Sequence, residues 1–180
     1  MKANKLSVRK LVSLSVLLAL GVILNIAENY MVFIPAIPGM KLGLANTIGL
    51  LVLALFGPKE FLLIGFLRVL LAGTFSGFGS GFMMAMSGFI FSSMMTLLLY
   101  HSKKLSIYGL SMMSAVFHGV GQVTMISILY QNVLMFNYLF ILIFSGIIMG
   151  LLIAFLSKII LQRVRFQGLK GVNYENNLEE

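Results

Sequence analysis

The sequence predicts an all-α integral membrane protein, a bundle of six transmembrane helices with both ends in the cytoplasm. Hydrophobic residues make up 59% of the 180 residues, and the mean hydropathy is +1.02. Soluble domains are only about 45–50% apolar. A chain of this size cannot bury so much apolar surface in its own interior, so lipid must cover the remainder.

Six runs with little or no charge predict the spans: residues 11–27, 42–56, 61–72, 82–100, 107–130 and 136–160. Because a helix needs about 20 residues to cross a bilayer, the second and third runs are short and require tilt, local thinning or extension through the polar loop residues. A five-helix arrangement, with one of these two runs re-entrant, stays open. The spans define a transmembrane domain over residues 11–160, between a basic N-terminus (1–10) and a polar tail (161–180), both cytoplasmic.

The distribution of positive charge predicts the orientation. With the N-terminus inside, eleven of the thirteen Lys and Arg residues fall in cytoplasmic segments: Lys2, Lys5, Arg9, Lys10, Lys59, Lys103, Lys104, Lys158, Arg163, Arg165 and Lys170. Cytoplasmic loops of membrane proteins are enriched in Lys and Arg. The net charge of +8 is therefore explained by topology, and a nucleic-acid partner is not expected.

Several chemistries are excluded by residues that the chain lacks. It has no cysteine, which removes disulfides, iron–sulfur clusters and thiol nucleophiles. It has no aspartate, which removes the Asp-rich clusters that bind magnesium diphosphates, and it contains no Walker-type lysine loop. We therefore expect neither an enzyme nor a bound metal or cofactor.

Six polar residues within or beside the spans need an explanation, and the predicted orientation puts them all in the outer half of the membrane: Glu28, Lys41, Asn46, Arg68, His118 and Gln122. A charge at a helix centre costs roughly 2.5–3.5 kcal/mol on insertion scales, so it normally faces a partner or a wet cavity. Each residue has a structural alternative: Arg68 and Glu28 as an ion pair, Lys41 pointing outward to the interface, and His118 in helix packing. Together they predict a shared, outward-facing pocket for a partly anionic small molecule.

The chain shows a place to bind but no means to drive transport. A segment with two prolines, residues 34–39, is apolar and cannot form a regular helix, and we interpret it as a lid over the pocket. The inner half lacks the acids that a proton- or sodium-driven carrier uses. Ser15 and Ala19 form a small-residue pair at helical spacing on the first span, a pattern that lets a partner helix approach closely. The sequence thus indicates a binding subunit that other proteins power.

Three blocks of sequence resemble a known family. The segment from Pro38 to Asn46, the block from Leu67 to Gly73 and the segment from His118 to Gln122 are similar to the Gx transporter family, also labelled heptaprenyl diphosphate synthase component I. The resemblance covers about residues 8–160. It implies a fold like that of the S-components of energy-coupling factor transporters, which are six-helix membrane proteins.

The resemblance also implies partners and a role. S-components capture vitamins and related nutrients, and they assemble with a transmembrane coupling protein and two cytoplasmic ATPases. They dock through small residues on the first helix, where this chain has Ser15 and Ala19. We therefore expect a substrate-binding subunit of an importer in the bacterial cell membrane, for a small, partly anionic vitamin or cofactor precursor. The alternative is a non-catalytic membrane partner of a prenyl diphosphate synthase or quinone biosynthesis system.

Overall fold

The computed structural model describes residues 8–30, 43–102 and 105–163. These residues form α1 (Val8–Tyr30), α2 (Leu44–Phe56), α3 (Pro58–Ser76), α4 (Ser80–Ser102), α5 (Ile107–Tyr130), a short 3₁₀ helix η1 (Val133–Tyr138) and α6 (Leu139–Arg163). Over this part of the chain the structure contains helices and no strands. The prediction of an all-α protein is confirmed for it.

Four helical segments of the described residues are long and apolar enough to cross a membrane: Val8–Glu28, Ser80–Ser102, Ile107–Tyr130 and Val133–Arg163. The protein is therefore a multi-pass membrane protein. α2 has 13 residues and a length of about 20 Å, less than the roughly 30 Å of a hydrocarbon core. α3 has 19 residues but carries Lys59, Glu60 and Arg68. The count of six spans and the orientation stay predictions.

The helix bounds differ from the predicted runs mainly at α3. Residues 57–60 look like a turn in the sequence, but Pro58 begins α3 directly after Gly57. Proline fits the first position of a helix because its missing N–H has no partner to lose there. The helix then continues to Ser76, so that only residues 77–79 of the interval between the third and fourth predicted runs (73–81) connect α3 to α4. α5 has the predicted bounds.

The core is centred on the short helix α2, whose residues 50–53 are all buried. α2 packs against α1, α3 and α6, while α4 packs on α5 and α5 on α6. Glycines set the spacing in the second half. A Cβ on Gly121 of α5 would lie 2.6 Å from the carbonyl oxygen of Ser87, and one on Gly150 of α6 would lie 2.6 Å from the Cα of Met112. These helices are thus in backbone contact.

One ion pair joins the beginnings of α1 and α3. Lys10 Nζ donates to Glu60 Oε1, so residue 10 and the α2–α3 connection lie at the same end of the bundle. The predicted orientation, with both in the cytoplasm, requires this arrangement.

Candidate functional site

Arg68 links the middle of the bundle to the first turn of α2. Its side chain is 6% exposed. Nη1 donates to the carbonyl oxygen of Ala45, and Nη2 donates to Oδ1 of Asn46 at 3.1 Å. The side chain passes α1 at Gly21, where a Cβ would lie 3.1 Å from the Cδ of Arg68. The glycine therefore provides the space in which the arginine crosses to α2.

Glu28 holds the same turn from the other side. Its Oε1 accepts a hydrogen bond from the backbone N–H of Leu44, the first residue of α2. Unpaired N–H groups and a partial positive charge at a helix N-terminus favour such an acid. Glu28 also interacts electrostatically with Arg68. Both charged side chains thus contact the backbone of the first turn of α2, and the ion pair between them stays a prediction.

His118 and Gln122 lie one turn apart on α5. The imidazole of His118 packs on α4 at Gly88, where a Cβ would lie 2.8 Å from both Cε1 and Nε2 of the ring. Gln122 is buried. Glycine at position 88 therefore sets the position of the histidine ring.

A cavity of about 70 Å³, called here the central cavity, lies among these groups. Five of the six predicted pocket residues line it: Glu28, Asn46, Arg68, His118 and Gln122. The sixth, Lys41, lies outside the described residues, as does the predicted lid. The structure thus brings together side chains from α1, α2, α3 and α5 that the sequence separates by as many as 94 positions.

Two polar residues of the central cavity were missing from the predicted set. Asn25 of α1 and Ser145 of α6 also line it. Asn25 stands three residues before Glu28, a spacing that puts both on one helix face, so the sequence contained a signal for it. Ser145 is one of many membrane serines, and its Oγ donates to the carbonyl oxygen of Leu142 in its own helix. Nothing in the sequence distinguishes it.

A second, smaller cavity of about 30 Å³ adjoins the first at Asn46 and Arg68. Its other polar side chains are Ser92, Thr96, Ser111 and Ser114. Arg68 Nε and Thr96 Oγ1 are buried and have no hydrogen-bond partner among the described residues. A polar space of this size accommodates an ordered water. The interior beneath Arg68 is therefore lined with hydroxyl groups, a feature that a count of ionisable residues overlooks.

A larger cavity of about 350 Å³, called here the vestibule, lies where α3 meets α4. It shares Asn25, Val69 and Ala85 with the central cavity. Small and polar residues from Gly73 to Gly81 form most of its lining, and those from Thr74 to Gly81 are exposed. The central cavity thus has an open space beside it.

The predicted docking pair lies on the opposite side of α1 from the core. Ser15 and Ala19 are exposed, in a face of α1 that also presents Val12, Val16 and Ile23. Small side chains flanked by apolar ones are a pattern that allows another helix to approach closely. Among the described residues, no group of three His, Asp or Glu is placed to hold a metal ion.

The comparisons with known proteins assign the family. A sequence model described as heptaprenyl diphosphate synthase component I matches residues 17–160, most of the chain. The chain belongs to this family. The expectation drawn from the resemblance is confirmed at that level, and the word component indicates one part of a system of several proteins. No curated protein and no solved structure matches this component I chain.

Proposed function

We propose that this component I protein is the substrate-binding membrane subunit of an energy-coupling factor type ABC importer, similar to an S-component. Its substrate is a small, partly anionic vitamin or cofactor precursor, and it does not act as an enzyme. The observation that carries the proposal is the central cavity, because seven polar residues from five helices line one space of about 70 Å³. Polar side chains within a membrane protein normally mark a ligand site or ion path.

The donors at this cavity suit an anion. Arginine has five N–H donors, of which the contacts to Ala45 and Asn46 engage two. The other N–H groups on its Nη atoms leave donor capacity for a ligand. His118 and Gln122 add an imidazole and an amide. A carboxylate or phosphate would accept hydrogen bonds from all three side chains.

The outward face of α1 supports a role as one subunit of a larger assembly. Ser15 and Ala19 are exposed at a spacing of four residues, which favours close approach of another helix. We propose that this face docks on a transmembrane coupling protein in the cell membrane, and that two cytoplasmic ATPases supply the energy. Substitution of Ser15 and Ala19 by Leu should then release the coupling protein without loss of the ligand.

Native mass spectrometry of the purified protein tests the pocket. A small molecule should co-purify, and the variants His118→Ala, Gln122→Ala and Arg68→Ala should retain less of it. Lys158→Ala is the matched control, because it removes an exposed cation from the last turns of α6 that does not line the cavity. Ligand retention that is unchanged in the three cavity variants would exclude the pocket.

The family description favours one second candidate, a non-catalytic membrane partner of a prenyl diphosphate synthase in quinone biosynthesis. Affinity purification from membranes discriminates the two. Recovery of an ATPase pair supports the importer, whereas recovery of a soluble, aspartate-rich synthase supports the partner role.

A further inference from the structure

An apolar cavity of about 280 Å³, called here the side chamber, lies next to the central cavity. Its apolar and aromatic lining comes from α4, α5 and η1: Met84, Val123, Ile126, Tyr130, Met135 and Tyr138. Methionine side chains adapt their shape to apolar ligands more readily than branched aliphatic ones, and tyrosine rings offer a large apolar surface. The side chamber thus differs in chemistry from the polar central cavity.

The two cavities adjoin at two side chains. Gln122 and Leu142 line both the central cavity and the side chamber. Gln122 is 6% exposed and Leu142 7%, so both are fixed inside the bundle. Gln122 and Leu142 thus form the boundary between the polar central cavity and the apolar side chamber.

Hydrogen bonds fix the connection that forms the far wall of the side chamber. Gln131 ends α5 in the left-handed conformation, with φ of 49°. Ser127 Oγ donates to the carbonyl oxygen of Asn132 at 3.2 Å, and Asn132 Oδ1 accepts from the N–H of Leu134 at 2.9 Å. These contacts hold η1, and with it Met135, against the end of α5. This wall of the side chamber is therefore formed by a hydrogen-bonded segment.

The size of the central cavity requires a second space. At about 70 Å³ it holds a compact group, whereas sites for whole small molecules measure about 300–1,000 Å³. The vestibule is lined mostly by glycine, serine and alanine, so an apolar group there would find few apolar side chains to contact. The side chamber offers methionine, tyrosine and aliphatic side chains to such a group, and apolar burial is the dominant favourable contribution to binding.

We infer that the ligand is an amphiphile, with a compact anionic head in the central cavity and a short apolar body in the side chamber. This inference rests on the proposed function, since it takes the central cavity as the substrate site. It narrows the substrate class: a wholly polar nutrient fits only the first space, whereas an acid or phosphate that carries a short hydrocarbon body fits both.

A series of n-alkyl phosphates from methyl to octyl, with a parallel series of n-alkyl carboxylates, tests the inference. The probes are titrated by native mass spectrometry on the protein in lipid nanodiscs. Affinity should rise with chain length by up to about fourfold for each methylene buried, and it should then reach a plateau when the chamber is full. The series that binds more tightly identifies the head.

Two variants and a control locate the apolar body. Ile126→Trp fills the chamber and should abolish the rise with chain length, while methyl phosphate or acetate binds as in the parent protein. Ile126→Ala enlarges the chamber and should move the plateau to a longer chain. Ile90→Trp adds the same bulk to α4 at a side chain that is 52% exposed and should change nothing.

The outcomes separate the two proposals. If the short probes bind and affinity does not depend on chain length, the side-chamber inference is overturned and the central site is retained. The same holds if affinity depends on chain length but both Ile126 variants leave that dependence unchanged. The inference is also overturned if the protein retains a phospholipid that is lost in Ile126→Trp but is not displaced by any alkyl probe. Failure of the parent protein to bind any probe of either series contradicts the anionic site itself.

Discussion

Substitution of Gly88 by alanine should weaken ligand binding through His118 without any direct contact with the ligand. A Cβ at position 88 would lie 2.8 Å from Cε1 and Nε2 and 3.0 Å from Nδ1 of the imidazole. Real Cβ atoms do not approach that closely, so the ring must move away from α4. The added methyl group thus shifts the imidazole of His118 in the central cavity, although position 88 itself makes no proposed contact with the ligand.

The expected magnitudes follow from the two effects of this movement. Overpacking of a filled interior costs about 1–3 kcal/mol, and for a chain of this length each kcal/mol lowers Tm by about 2–4 °C. Loss of one hydrogen bond from His118 to the ligand costs about 0.5–1.5 kcal/mol, or roughly a 2- to 13-fold loss of affinity. Ligand titration by native mass spectrometry and thermal unfolding in detergent measure the two separately.

A double-mutant cycle with His118→Ala decides whether the histidine transmits the effect. Without the ring the new methyl group meets no clash there, so Gly88→Ala should cause little further loss of affinity in that background. Gly81→Ala is the control, because a Cβ at that position of α4 meets nothing within 4 Å. An equal loss of affinity with and without the imidazole would refute the reasoning.

Three further predictions concern the architecture. Glu28→Gln should lower Tm by a few degrees, since it removes the negative charge at the start of α2; a Tm equal to that of the parent protein would show that this cap is dispensable. Gly121→Ala should lower Tm more than Gly79→Ala, because the first Cβ would lie 2.6 Å from a carbonyl oxygen and the second meets nothing within 4 Å; equal effects would contradict the close packing of α4 and α5. Since the chain has no cysteine, an introduced single cysteine reports the side of the membrane on which it lies. Lys59→Cys should react with an impermeant maleimide only after the membrane is permeabilised, whereas Gln131→Cys should react in intact cells. The reverse pattern would exclude the predicted orientation.

Sequence patterns predicted most helix bounds well where polar residues flank an apolar run. α5 begins at Ile107 after the cap of Ser106, whose hydroxyl accepts from Gly109, and it ends at Tyr130 before Gln131. The apolar run of the third span begins at residue 61, whereas α3 begins at Pro58, because a Gly-Pro-Lys segment fits either a turn or a helix start. A proline after a glycine is equally compatible with the first position of a helix, and only packing decides between the two.

The candidate site could be predicted as a set of residues, but its geometry could not. Insertion costs single out Arg68 and His118 in apolar runs, and the structure brings them to one cavity. The glycines that make space for these side chains, Gly21 and Gly88, carry no local signal among the 18 glycines of the chain. Their role depends on which helices are neighbours, and this is a property of the tertiary fold.

The structure also assigns Arg68 and Glu28 a task that is independent of any ligand. α2 is too short to cross a membrane alone, and both charges bind the backbone of its first turn. Variants at these positions therefore change both the stability of the fold and ligand binding. His118 and Gln122 line the cavity from α5, so their variants report binding separately from the start of α2. If Arg68→Lys unfolds at a lower temperature but retains its ligand, the arginine serves α2, and the binding role belongs to the imidazole and the amide of α5.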